Sequence, residues 1–195
     1  MAGGGDGMGD YYSEKLSSER LRRCYAIALP RVRQYLQAEI DHVLAKIRPG
    51  DTVLELGCGY GRILGELAKK AKRVVGLDTS RLSLIAGRER LAYLSDCHWV
   101  QADAIRLSFS DQMFDVVVCL QNGISAFHVD PERLIGESLR VTKPGGTVFL
   151  SSYSDRFWAY RLAWFKLQEA EGLVGEIDYE KNRSMLRSMF RARGS

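Results

Sequence analysis

The sequence lacks the features of a secreted, membrane-bound or metal-stabilised protein. No apolar run approaches the roughly 20 residues of a membrane-spanning helix, and residues 1–12 lack the basic and apolar segments of a secretion signal. The four cysteines form no CxxC pair and share no regular spacing with the three histidines. We therefore expect a reduced, cytoplasmic protein that has no structural metal.

Excess positive charge is absent from most of the chain. The formal charge is +4, but residues 181–195 contain five basic residues and no acidic one, so the rest of the chain sums to −1. A nucleic-acid-binding groove in the core is therefore disfavoured. We predict a flexible leader over residues 1–12, a single domain over 13–180 and a basic tail over 181–195.

Within that domain, segments typical of strands alternate with segments typical of helices. After N-terminal helices within residues 13–48, this alternation predicts a core over 51–180 with a mostly parallel, doubly wound α/β sheet covered by helices on both faces. The predicted strands are 52–56, 73–77, 97–101, 114–120 and 147–152, and the predicted helices are 32–47, 63–68, 82–94, 131–141 and 157–170.

A glycine-rich segment lies between the first predicted strand and the following helix. Gly57, Gly59 and Gly61 permit a tight turn and a close approach of backbone to a ligand. Glu55 precedes them, and Asp78 follows Gly57 by 21 residues, close to the ~20-residue offset of a carboxylate that binds ribose hydroxyls. A plain turn and a helix cap at Asp78 are the structural alternatives.

The glycine spacing separates two classes of nucleotide-cofactor enzyme. A dinucleotide fingerprint places its third glycine, or an alanine, three residues after the second, and this position is Arg62. A nicotinamide-dependent oxidoreductase is therefore the less favoured alternative.

Residues 51–152 resemble the class I, Rossmann-like S-adenosylmethionine-dependent methyltransferases, in the small-molecule branch of methyltransferase types 11 and 25. The motifs are the glycine segment, Asp78, Asp103 with Ala104, residues 114–118 and residues 139–147. The resemblance implies that Asp78 binds the ribose hydroxyls and that Asp103 binds the adenine amino group. It implies cofactor contacts at Glu55, Gly57, Cys58, Gly59, Tyr60, Gly61, Asp78, Thr79, Asp103, Ala104 and Gln121.

Methyl transfer by direct displacement requires alignment more than a catalytic triad, and the sequence contains no recognisable triad. Candidate catalytic residues are Asn122 and His128, although a lone histidine before a helix is usually structural. Candidate acceptor contacts are Tyr12, Asn122 and Tyr153, and Trp164 is assigned to the core. The Asn-Pro-Pro-aromatic motif of many adenine- and glutamine-modifying enzymes is absent, which favours a small-molecule acceptor.

The C-terminal part departs from the family pattern, whose sheet ends in a two-stranded hairpin. Residues 173–179 are a candidate for one further strand, but the basic end is too short for a full hairpin. An exposed sheet edge would favour a homodimer. An RNA or protein methyltransferase, and a cofactor-binding module without catalysis, therefore remain alternatives to a small-molecule enzyme.

Overall fold

The computed structural model describes residues 18–127 and 129–175. None of the helices in these two ranges has the length and apolar character needed to cross a bilayer. The helices are α1 (Ser18–Ala26), α2 (Pro30–Leu44), α3 (Leu64–Ala68), α4 (Arg81–Arg90), α5 (Gly123–Ala126), α6 (Pro131–Val141) and α7 (Trp158–Ala170). The strands are β1 (Thr52–Leu56), β2 (Arg73–Asp78), β3 (Cys97–Gln101), β4 (Phe114–Cys119) and β5 (Thr142–Leu150).

The five strands form a parallel sheet in the order β3-β2-β1-β4-β5. Side chains alternate between its two faces, as the period of a strand requires. On one face, Leu54, Val75 and Val117 belong to one buried cluster. On the other face, Val53 and Val74 belong to a second buried cluster. Burial on both faces explains the nearly continuous apolar runs and confirms the predicted α/β class.

Element boundaries differ from the sequence prediction mainly in β5, which begins at Thr142 rather than Thr147. Thr142 pairs with Phe114 and Thr147 pairs with Val116, with a shift of register between the two pairs. Pro144-Gly145-Gly146 therefore forms an irregularity within the strand and not a turn before it. Pairing with β4 sets the start of β5 at Thr142. The Pro-Gly-Gly composition of the segment gives no indication of this pairing, because it is typical of a turn.

The chain after α7 contributes no strand as far as it is described. Residues 171–175 contain turns and bends, so the predicted strand is wrong for 173–175, and residues 176–179 lie outside the described ranges. Leu173 instead packs with Cys24 of α1, and Trp164 Nε1 of α7 donates a hydrogen bond to the Cys24 carbonyl over 2.9 Å. These contacts hold α1 beside α7. Within the described sheet, β5 forms one edge.

Candidate functional site

The glycine segment after β1 forms a tight turn tied to the end of β2. Gly57 and Gly59 have φ angles of +74° and +52°, in the left-handed region that favours glycine. The backbone amides of Gly57 and Cys58 both donate to the Leu77 carbonyl, over 2.7 and 2.9 Å. The turn therefore brings its backbone to the carboxyl end of the sheet, where α/β proteins bind ligands.

Asp78 lies at the end of β2, directly against this turn. Its two carboxylate oxygens accept hydrogen bonds from the backbone amides of Gly59 and Ser80, each over 2.8 Å. Burial raises the pKa of Asp78, and these amides oppose that effect. Ser80 is the cap of α4, since its side chain accepts a hydrogen bond from Ser83 N. Asp78 therefore orients the loop and still faces the cavity described below.

Glu55, on β1, is a buried carboxyl group at the same strand end. The residue is 3% exposed, and its Oε2 has no hydrogen-bond partner among the described residues. Burial raises the pKa of Glu55 to about 8, although the positive charge of Arg62 acts to lower it. A partly unsatisfied carboxyl group in the interior is costly for a fold, so its presence here favours a ligand-binding role.

A cavity of about 410 Å³ opens over these residues at the carboxyl ends of the strands. Its volume lies within the ~300–1,000 Å³ of small-molecule and cofactor sites. Most of the assigned residues line this cavity. The assigned cofactor contacts among them are Glu55, Gly57, Cys58, Gly59, Tyr60, Asp78, Thr79, Asp103, Ala104 and Gln121, and the assigned acceptor contacts are Asn122 and Tyr153. The fold thus brings together residues spread over about 100 positions of the chain.

Three of the assigned residues, Gly61, His128 and Tyr12, are not among the described residues that line the cavity. Gly61 does not line the cavity; a Cβ there would overlap the ring of Trp99, so packing explains this glycine. His128 and Tyr12, with their catalytic and acceptor assignments, lie outside the described residues. Asp103 is exposed and accepts a hydrogen bond from the Ile105 amide over 3.1 Å.

The loop after β4 also lines the cavity. Gln121 and Asn122 both have left-handed backbones, with φ angles of +58° and +68°, which cost energy in residues other than glycine. The Gln121 amide donates to Ser151 Oγ over 2.8 Å, and Ser152 Oγ donates to Asn122 Oδ1 over 3.1 Å. The residues directly after β5 therefore hold the Gln121 backbone and the Asn122 side chain at the cavity.

Arg62 and Phe127 complete this wall. The Arg62 guanidinium lies over the Tyr25 ring, 4.2 Å from its centre, and donates a hydrogen bond to Gln121 Oε1. Phe127 covers Gly57 so closely that a Cβ on that glycine would lie 2.5 Å from the ring. The glycine thus accommodates an aromatic side chain as well as the turn.

Two helices form a wall of the cavity that the sequence reasoning missed. From α1 come Leu21, Cys24 and Tyr25, and from α7 come Arg161, Trp164, Phe165 and Gln168. Trp164, assigned to the core, is buried and also lines the cavity. The signal was present, because positions 161, 164, 165 and 168 share one face of a helix. Nothing in that spacing, however, distinguishes a cavity from a core.

Comparison with known proteins agrees with this arrangement. The family model described as "Methyltransferase domain" matches residues 53–146, from β1 into β5. Over these residues the chain is similar to that methyltransferase family, as the sequence motifs predicted.

Two curated relatives and one solved structure are similar to the chain over part of its length. A demethylmenaquinone methyltransferase of Clavibacter sepedonicus is 37% identical over 105 residues, 54% of this chain and 42% of the relative. A malonyl-[acyl-carrier protein] O-methyltransferase of Marinomonas sp. (strain MWYL1) is 35% identical over 137 residues, 68% of this chain and 50% of the relative. The crystal structure of the [4+2]-cyclase SpnF matches with a TM-score of 0.52 and 29% identity, over 56% of this chain and 42% of the other.

The chain therefore spans half or less of the lengths of these two curated relatives. The family match and the parallel α/β sheet define the kind of domain. The match does not by itself assign a reaction or a methyl acceptor to this chain.

Proposed function

We propose that the chain binds S-adenosylmethionine and transfers its methyl group to a small-molecule acceptor. The observation that carries this proposal is the cavity at the carboxyl ends of the strands, where Glu55, Asp78 and Asp103 lie around the glycine turn. The family match supports the reaction class. The names of the two curated relatives, one acting on demethylmenaquinone and one on malonyl-[acyl-carrier protein], support small acceptor groups.

The residues present fit the cofactor. Glu55 offers a buried carboxyl oxygen without a partner among the described residues; on losing its proton, this group is suited to the cationic ammonium group of the methionine part. Each Asp78 oxygen accepts one backbone amide and keeps a further lone pair for a ribose hydroxyl. Asp103 and Ala104 both line the cavity, where an adenine ring would be bound by a carboxylate and a backbone group.

The contribution of the chain to methyl transfer is positioning. The cofactor, when bound, supplies the activated methyl group and the leaving sulfide. The glycine turn and Asp78 would fix its ribose, Gln121 would contact the cofactor, and Asn122 would align the acceptor beside the end of β4. Helices α1 and α7 would exclude water from the cavity. Alignment of this kind lowers a displacement barrier without a covalent intermediate.

The direct test is titration calorimetry of the full chain with S-adenosylmethionine, S-adenosylhomocysteine and NAD. We expect saturable binding of both adenosyl compounds and none of NAD. Incubation with methyl-labelled S-adenosylmethionine and a pool of small metabolites then tests transfer, because a fold shared with a [4+2]-cyclase does not by itself establish that reaction. A folded sample that binds neither adenosyl compound would contradict the proposal.

Asp78→Ala tests the assignment of the ribose site. We expect S-adenosylhomocysteine to bind about 10- to 100-fold more weakly, since hydrogen bonds to a charged acceptor contribute about 1.5 to 3 kcal/mol. Asp96→Ala is the matched control, because Asp96 is exposed and outside the cavity. Equal affinities of the two variants would remove Asp78 from the cofactor site.

A further inference from the structure

Two buried side chains on one face of α7 carry N–H donors, and they differ in what they bind. Trp164 and Gln168 are four residues apart, so they are neighbours on the helix surface. Trp164 Nε1 donates a hydrogen bond to the Cys24 carbonyl of α1 over 2.9 Å. Gln168 is 3% exposed, and its Nε2 has no hydrogen-bond partner among the described residues. The tryptophan therefore joins two helices, whereas no described residue accepts the N–H groups of the glutamine.

The end of α7 fixes the position of Gln168. Gly172, with a φ angle of +64°, donates its amide to the Glu169 carbonyl, and Leu173 donates its amide to the Gln168 carbonyl, each over 2.9 Å. This pair of hydrogen bonds is the Schellman arrangement, in which a left-handed glycine closes a helix. Leu173 also packs with Cys24 of α1. Gln168 is thus part of a closed helix end, so fraying does not explain its amide without a partner.

The Gln168 side chain lies in a part of the cavity wall that is rich in apolar residues. It lines the cavity together with Leu21 of α1 and Val174 beyond α7, and these two apolar side chains pack against Cys24 and Leu173. A buried N–H group without a partner costs free energy, which an apolar side chain of similar shape would avoid. The glutamine therefore lowers the stability of the free chain, and binding of a ligand is a reason for its presence.

We propose that Gln168 is a ligand-binding residue, whose amide donates a hydrogen bond to an oxygen atom of the molecule that fills the cavity. The inference rests on the proposed function, because it assigns a contact in the same cavity. Two molecules offer such an oxygen there: the methyl acceptor and the amino-acid part of the cofactor. Both supply the same chemistry, an oxygen lone pair, and the experiment separates them.

The first measurement is the melting temperature of the free chain. Gln168→Met replaces the amide by an apolar side chain of similar length, so the melting temperature should rise by about 2 to 8 °C as the cost of the unpaired donor is removed. Trp164→Phe removes the donor that binds the Cys24 carbonyl, so its melting temperature should fall. Gln34→Met on α2 is the control, because Gln34 is exposed and outside the cavity. A fall for Gln168→Met would show that this amide stabilises the fold, and the inference would be wrong.

The second measurement identifies the ligand. S-adenosylhomocysteine is titrated by calorimetry into the wild-type chain and into Gln168→Met. A dissociation constant that is about three- to tenfold weaker in the variant, the effect of one lost hydrogen bond, assigns the contact to the cofactor.

If the two affinities are equal, both chains are saturated with S-adenosylhomocysteine and studied by ligand-observed NMR. The probes are ketones and the matching hydrocarbons, acetophenone with ethylbenzene and 1-tetralone with tetralin. The ratio of ketone to hydrocarbon affinity should be about three- to tenfold higher in the wild-type chain than in Gln168→Met for at least one pair. This result assigns the contact to the methyl acceptor.

Equal results for the two chains in both binding measurements would overturn the inference, because no ligand would then use the amide. That outcome leaves the proposed function intact, provided that the wild-type chain binds S-adenosylhomocysteine. Failure of S-adenosylhomocysteine to bind the wild-type chain removes both.

Discussion

Glu55 has an interior position that conflicts with its charge. An acid whose pKa rises from 4.5 to about 8 on folding keeps a proton in the folded protein that the unfolded chain has already lost. Between those pH values the folded state binds more protons, so stability is greatest at the lower end and falls as pH rises. The same carboxyl group is ready to release its proton when a cation is bound beside it.

We expect Glu55→Gln to flatten the decline in unfolding free energy between about pH 5 and pH 8, because glutamine has the same shape and does not titrate. Urea denaturation at several pH values measures this slope. Glu89→Gln on α4 is the control, since Glu89 is exposed. If both variants keep the wild-type slope, Glu55 does not have the raised pKa that its burial implies.

Sequence reasoning predicted residues well where backbone geometry restricts the side chain. The tight turn at Gly57 and Gly59 and the position of Asp78 at the end of β2 both follow from local rules. The places of Arg161 and Gln168 in the cavity wall could not be predicted in the same way. They depend on where α7 lies relative to β5, which no local pattern determines.

At the scale of elements, α6 holds the long connection between β3 and β4. Arg140, near its end, donates hydrogen bonds to the carbonyls of Leu107 and Phe109, to Asp111, and to both carboxylate oxygens of Glu137. Glu137 in turn accepts the Leu107 amide over 2.7 Å. This connection spans residues 102–113 and includes Asp103, so its anchoring also affects the cavity that Asp103 lines.

Replacing Arg140 by methionine should lower the free energy of unfolding by about 2 to 3 kcal/mol, because several hydrogen bonds to one charged group are lost together. Chemical denaturation measures the loss. Arg133→Met on the same helix is the control, because Arg133 is exposed, and its effect should stay within about 0.5 kcal/mol. Similar losses in the two variants would mean that Arg140 does not anchor the connection.

Most helices and strands lie where the sequence periodicity predicted them, and the bounds of β1, β3 and α6 equal the predicted ones. β5 did not, because its start is set by pairing across the irregularity at Pro144-Gly145-Gly146. The strand predicted after α7 was wrong for residues 173–175, where Leu173 packs against α1. In both places, contacts with distant parts of the chain overrode local composition.

At the scale of the whole molecule, the cavity is lined by parts of the chain that are far apart in sequence. The glycine turn, the loop after β4, α1 and α7 all line it. Among the described residues, α1 contacts α7 through the hydrogen bond between Trp164 and Cys24, and Arg23 of α1 forms an ion pair of 3.7 Å with Glu171, directly after α7. A ligand that fills the cavity should therefore stabilise the entire domain and protect α1 from local opening.

S-adenosylhomocysteine at 100 times its dissociation constant should add about 2.7 kcal/mol to the free energy of unfolding, because it binds only the folded chain. For a protein of this size, that gain corresponds to a rise in melting temperature of about 5 to 10 °C. NAD at the same concentration should produce no rise. Hydrogen exchange should slow in α1 as well as in the glycine turn. If the melting temperature rises while exchange in α1 is unchanged, the ligand binds the turn without contacting the helical wall, and the cavity is not a single site.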